Sequence, residues 1–170
     1  MAVENGSSDK KVMVAIDENE TSYHALVWYL QNFQESILKS SHPLILFMVQ
    51  PPPPSNNTFA ASLGSARMFC NVSPTPDYAN AVQERNRLIS SGILEKAKSI
   101  CTSHGVNAET LLAVGDAKKA ICDAVQKLNV DLLVLGDHGD GKLKRVFLGS
   151  VSNHCVFNAK CPVLVVKKPE

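Results

Sequence analysis

Asp131-Leu132-Leu133-Val134-Leu135-Gly136-Asp137-His138-Gly139-Asp140-Gly141-Lys142-Leu143-Lys144-Arg145-Val146-Phe147-Leu148-Gly149-Ser150 joins two kinds of sequence. After Asp131, Leu132–Leu135 is an apolar run without alternation, the pattern of a strand buried on both faces. Glycines 136, 139 and 141 then fall within six residues. Glycine lets the backbone take positive φ and lets a ligand approach its N–H groups closely. A run of such N–H groups makes an anion nest. Gly149-Ser150 opens a short helix, Ser150–Phe157, whose first N–H groups and positive dipole end favour a phosphate. Lys142, Lys144 and Arg145 add cations to the same stretch.

Outward from this segment the chain alternates strands and helices. Lys11–Ile16, Pro43–Val49 and Pro162–Val166 are short apolar runs and predict strands. Val106–Val114 predicts another, interrupted by Asn107 and Glu109. One helix is capped at Asn19 or Thr21 and carries Ala25, Tyr29, Phe33 and Ile37 on one face at a step of four. A second runs from a cap at Asp77 to about His104, with Val82, Ile89, Ile93, Ala97 and Ile100 inward and Gly105 as its stop. A third spans Ala117–Leu128 behind Gly115-Asp116, with Ile121, Val125 and Leu128 inward. Residues 51–75, rich in Pro, Ser and Asn, predict a long loop. Pro51–Pro54 at its start is taken as a stiff strand exit rather than a ligand for an SH3-type module.

The order β-α-β-α-β-α-β-α-β implies parallel pairing through right-handed crossovers, with helices on both faces. The expected fold class is therefore α/β, a doubly wound five-stranded parallel sheet of order 3-2-1-4-5, Rossmann-like. One domain over residues 11–168, behind a flexible 1–10, fits the length. In such sheets ligands bind beyond the carboxyl ends of the strands, at the switch point between strands 1 and 4. The segments leaving those two strands are Asp17 and the glycine stretch.

Composition narrows the class further. At 45% hydrophobic and 19% charged the chain is neither disordered nor a disulfide knot. Its net charge of +1 gives no support for nucleic-acid binding, although residues 142–170 alone carry six cations against Glu170. The longest apolar runs are far too short to span a bilayer. The polar start, Met1–Lys11, has no apolar core of a signal peptide, so a cytoplasmic chain is expected. Five cysteines without a C-x-x-C pair read as buried or bystander thiols, with a redox role for Cys155 and Cys161 as the lesser alternative. The histidines show no i, i+4 metal spacing, and no metal ligand set is predicted.

Among phosphate motifs, a Walker A loop fails because Leu143 stands where Ser or Thr must hold magnesium. A dinucleotide G-x-G-x-x-G fails at Lys144. A nucleophile elbow G-x-S-x-G is absent, and no residue is assigned as catalytic. The pattern Gly136-x2-Gly139-x9-Gly149-Ser150 resembles the ATP-binding signature of the universal stress protein family. The Asp17 segment, Gly115-Asp116, Asp131–Gly136 and Leu148–Ser152 resemble that family in order and spacing, and Gly141–Arg145 is similar to its plant A-like members.

The resemblance implies an adenine-nucleotide-binding fold related to the adenine nucleotide alpha hydrolases. It implies adenine and ribose near Ala15, Ile16, Asp17 and Val49. Phosphates would meet Gly136, His138, Gly139, Gly149, Ser150 and, through the backbone, Val151. It also implies a homodimer through the last strand, Pro162–Lys167. The expected ligand is ATP or AMP, possible Mg2+ included, in a regulatory stress-response protein with at most weak ATP hydrolysis. A nucleotide-dependent enzyme on the same scaffold, a slow ATP hydrolase or phosphotransferase, is the alternative. Asp137 departs from the small Ser or Thr common at its position. A carboxylate there opposes a triphosphate, or pairs with Arg145 or a metal, and ATP and AMP both stay open.

Overall fold

A computed structural model describes residues 9–53, 57–63, 66–72, 75–138 and 148–169. The first strand, β1 (Val12–Ala15), leads through a polar turn into α1 (Glu20–Asn32) and the short α2 (Gln34–Lys39). Then come β2 (Leu44–Gln50), β3 (Asn57–Leu63), β4 (Ala66–Val72) and α3 (Pro76–Ser103). The chain closes with β5 (Ala108–Val114), α4 (Ala117–Leu128), β6 (Leu132–Gly136), α5 (Ser150–Asn158) and β7 (Val163–Val166). The main sheet has five strands in the order β5-β2-β1-β6-β7. Every pairing within it is parallel, from Met13 opposite Ile45 to Leu133 opposite Val163. This is the expected 3-2-1-4-5 order, with β1 and β6 at the switch point.

The unalternated strands are buried on both sides, and successive residues serve two separate cores. Val12, Val14, Leu46 and Val134 pack with Ala25, Leu26 and Leu30 of α1 and Leu94 and Ala97 of α3. Met13, Ile45, Leu133 and Leu135 pack with Ile121 and Val125 of α4 and Cys155 of α5. Period-two alternation of side chains is what divides one strand between two helical layers. Cys101 and Cys155 are buried, and Cys122 and Cys161 half-buried, all as free thiols. Burial pushes the Cys155 thiol up to about 12, with Cys122 as the next cause. Such a thiol is inert near neutral pH, which agrees with the packing role.

Several expectations are corrected. The helix expected to run through Ile37 breaks at Phe33, which leaves helical geometry at φ −121° and stacks its ring on Tyr29, centroids 5.0 Å apart. The loop expected over 51–75 contains an antiparallel hairpin, β3 against β4, with Asn57 opposite Val72 and Leu63 opposite Ala66. Gly64-Ser65 between two segments of seven residues is the sequence pattern of a tight hairpin, which a composition-based loop assignment passes over. Thr75, not Asp77, caps α3: its Oγ1 accepts from the Tyr78 N–H at 3.4 Å, and Pro76 takes the first helical position. Ile89, expected inward on α3, is 48% exposed, because the buried face of that helix runs through Ser90, Leu94, Ala97 and Cys101. Leu128 of α4 packs inward against the second core as expected, while remaining half-buried. Gly105, at φ 70°, ends α3 as expected.

Candidate functional site

Beyond the carboxyl ends of β1, β2 and β6, on the side covered by α4 and α5, lies a cavity of about 580 Å³. That is within the usual size for a small-molecule site, roughly 300–1,000 Å³. Its apolar lining comes from the strands and α4: Ala15, Phe47, Val49, Leu135 and Ile121. Register explains the first two, since Ala15 pairs with Phe47 across β1 and β2 and both face α4. Its polar lining comes from the turn after β1, with Asp17 and Asn19, and from His138, Gly149 and Ser150. Ile16, Gly136 and Val151 complete the set expected from the sequence. Thus nine of those ten residues lie around one cavity; the tenth, Gly139, lies outside the described residues, as do Asp140, Lys142, Lys144 and Arg145.

Asp17 and His138 meet across the switch point. His138 Nε2 lies 2.9 Å from Asp17 Oδ2 and 2.9 Å from Thr21 Oγ1. Its Nδ1 lies 3.2 Å from the Gly136 carbonyl oxygen. Both ring nitrogens therefore face acceptors, and only the imidazolium carries a proton on each. The Asp17 hydrogen bond accordingly raises the His138 pKa above its ordinary value, burial opposing it. For Asp17, burial pushes the carboxyl up, but His138 and Asn19 together outweigh it and hold it below the usual value. Asn19 gives Asp17 its backbone N–H at 3.0 Å and its side-chain amide at 3.1 Å. Asn19 is the N-cap residue of α1 as expected, but its side chain makes no capping bond and supports this carboxylate instead.

The signs give a pH prediction. The His138 contribution to stability is complete below its ordinary pKa of 6.5 and is lost as pH rises through the higher folded value. The Asp17 contribution is complete above 3.8 and is lost as pH falls through the lower folded value. The pair therefore acts fully between about pH 4 and 6.5 and fades on either side. With side chains 31% and 43% exposed, solvent screens much of the attraction, so the effect on unfolding is small. A proton NMR titration reads it directly. His138 titrates above the ordinary histidine value, and Asp17→Asn brings its midpoint back down; an unmoved midpoint contradicts the pair.

Three residues that the sequence did not single out support the site. Thr21 shares the His138 proton, and the Ser152 hydroxyl, buried in α5, donates to the Gly136 carbonyl at 3.1 Å. The third, Phe47, is legible in retrospect as the residue two before Val49, on the same face of β2. Asp137 was expected to face a ligand, Arg145 or a metal. Its Oδ1 accepts from the Gly149 N–H at 3.0 Å, closing the neck of the turn between β6 and α5. Among the described residues no cluster of His, Cys, Asp or Glu is arranged to hold a metal, and no helix is long and apolar enough to cross a membrane.

The fold and cavity define a doubly wound α/β protein with a cavity of small-molecule size at its switch point. Residues 9–167 match the sequence profile of the universal stress protein family, and the chain belongs to that family. The Universal stress protein A-like protein of Arabidopsis thaliana is 33% identical over 98 residues, 58% of this chain and 56% of that protein. The matched stretch thus spans little more than half of that relative's length. Universal stress protein MJ0577 of Methanocaldococcus jannaschii is 25% identical over 160 residues, 94% of this chain and 95% of that one. Among solved structures, a universal stress protein family protein from Arabidopsis thaliana with AMP bound superposes with a TM-score of 0.63 at 25% identity. That superposition covers 94% of this chain and 92% of the other.

Proposed function

We propose that the chain binds an adenine nucleotide at the switch-point cavity and acts as a regulatory, dimeric stress-response protein rather than as a strong catalyst. The observation that carries this reading is the pairing of an apolar slot with an acceptor and a helix N-terminus in one cavity. Ala15, Phe47, Val49 and Ile121 offer flat apolar surface to a purine. Asp17, a carboxylate that only accepts, suits ribose hydroxyls or an adenine amino group. The N-terminus of α5 at Gly149 and Ser150 suits a phosphate. The AMP in the Arabidopsis structure supports the same ligand class.

Binding is favoured over hydrolysis by the state of His138. A general base needs a ring nitrogen free to take a proton, and both of His138's are engaged, Nε2 by Asp17 and Thr21 and Nδ1 by the Gly136 carbonyl. For the dimer, β7 ends the sheet with Val163, Leu164 and Val165 half-buried, an apolar edge that a second copy can cover along Pro162–Lys167.

Calorimetry with adenosine, AMP and ATP, with sedimentation of the same sample, tests both parts. Saturable one-to-one binding per chain and a sedimenting dimer are expected. No binding of any of the three refutes the ligand, and a monomer refutes the pairing. Turnover of ATP at enzymatic rates would favour the catalytic alternative.

A further inference from the structure

The turn between β6 and α5 starts with a carboxylate that belongs to neither His138 nor Asp17. The Asp137 backbone N–H donates to the Val166 carbonyl at 3.0 Å, extending the β6–β7 ladder by one bond. That bond fixes the backbone of Asp137. Its Oδ1 then accepts from the N–H of Gly149, twelve residues on, at 3.0 Å. Gly149 is the N-cap of α5, and the first bond of that helix runs from the Asn153 N–H to the Gly149 carbonyl at 2.8 Å. The N–H groups of Ser150, Val151 and Ser152 thus precede any acceptor within the helix. These donors and the positive helix end are what the cavity offers to an anion. Asp137 places a negative charge beside them and takes the neighbouring donor for itself. Among the described residues, the cation facing the cavity is His138, and Asp17 already matches it.

We propose that Asp137 is a specificity-determining residue: a resident anion that makes the site select adenine ligands with one phosphate over those with two or three. This rests on the nucleotide reading above. The first phosphate meets the donors of α5 and gains from them. Each further phosphate adds negative charge near a carboxylate, without adding a donor from α5. At a separation of several ångströms in a partly screened cleft, one such repulsion amounts to roughly a tenfold loss of affinity. Adenosine, with no phosphate, is indifferent to it.

The test is a charge series. Asp137→Asn keeps an acceptor oxygen toward Gly149 and nearly the same volume, so it removes the charge and little else. Adenosine, AMP and ATP are titrated into wild type, Asp137→Asn and Asp137→Glu at low and high salt. Wild type is expected to bind AMP more tightly than ATP. Asp137→Asn is expected to gain about tenfold for ATP, about threefold for AMP and nothing for adenosine, with the gains shrinking as salt rises. Asp137→Glu, which retains the charge, is expected to keep the wild-type order. If Asp137→Asn changes all three ligands by one factor, or changes none, the proposal is overturned while the nucleotide reading stands. If no ligand binds to wild type or to either variant, the nucleotide reading falls and the proposal with it.

Discussion

Gly136→Ala is expected to lower the unfolding free energy by about 2–3 kcal/mol. A Cβ built on Gly136 meets the Thr21 carbonyl oxygen at 2.5 Å, the Thr21 carbonyl carbon at 2.7 Å and the Ser22 nitrogen at 2.9 Å. All three atoms are backbone in the first turn of α1, so no flexible side chain can swing away. That turn is itself held, since the Ser22 hydroxyl bonds to the Asn19 carbonyl at 2.9 Å and Leu26, one turn on, is fully buried. Either α1 or the end of β6 must move. A competing effect has the opposite sign: alanine restricts the unfolded chain and stabilises by about 0.4–1 kcal/mol where the native site accepts it. Here the clash outweighs it. For a domain of this size the melting temperature falls by roughly 4–10 °C. The same shift disturbs the Gly136 carbonyl that His138 Nδ1 faces, so the His138 titration midpoint changes with it. A variant that melts within a degree of wild type would contradict the close approach of α1 to β6.

Gly136 also shows what the sequence can and cannot reveal. As the first of a glycine cluster after a buried strand, it looks like a residue chosen for the turn and the ligand. The structure gives it an additional duty, letting a helix from the other end of the chain cross within contact distance, and no local pattern announces that. The alternation of strands and helices was legible because both faces of the sheet are covered, which leaves runs such as Leu44–Val49 without polar residues. The site was legible for a topological reason: the switch point lies between the first and fourth core strands, and Asp17 and Gly136 stand at their ends.

What stayed hidden depends on contacts distant in sequence. His138 was expected to meet phosphate directly, and it does line the cavity, but its partners, Asp17 and Thr21, are more than a hundred residues away. The hydrogen bond of Asp137 to Gly149 depends on how the turn closes, while the pairing of Asp137 with Arg145 expected as one alternative falls on a residue outside the described ones. The hairpin was missed for another reason. Its alternation is weak, and Pro51–Pro54 and Pro74 give its ends the composition of a loop.

Asp17→Ala is expected to weaken adenosine binding by about 10- to 100-fold, the usual range for removing a charged acceptor from a ligand hydrogen bond. A carboxylate has about four acceptor sites. In the structure Asn19 takes two of them and His138 another, leaving one on Oδ1 for a ligand hydroxyl or amino group. Because the Asp17 side chain is 43% exposed, water can solvate the groups it leaves behind, and the variant is expected to fold. The loss for AMP divides by pH. Without Asp17, the His138 pKa falls toward its ordinary 6.5, since the hydrogen bond that chiefly raised it is gone. At pH 8 the ring is then neutral, and AMP loses the ribose or adenine contact with no cation beside it to offset the loss. At pH 5.5 the ring is still protonated and no longer matched by a carboxylate, so its attraction to the phosphate partly offsets the lost contact. AMP should therefore lose less than adenosine at pH 5.5 and at least as much at pH 8. Calorimetry of both ligands at the two pH values checks this. Unchanged adenosine affinity would remove Asp17 from the ligand contacts, and a pH-independent ratio of the two losses would remove His138 from the neighbourhood of the phosphate.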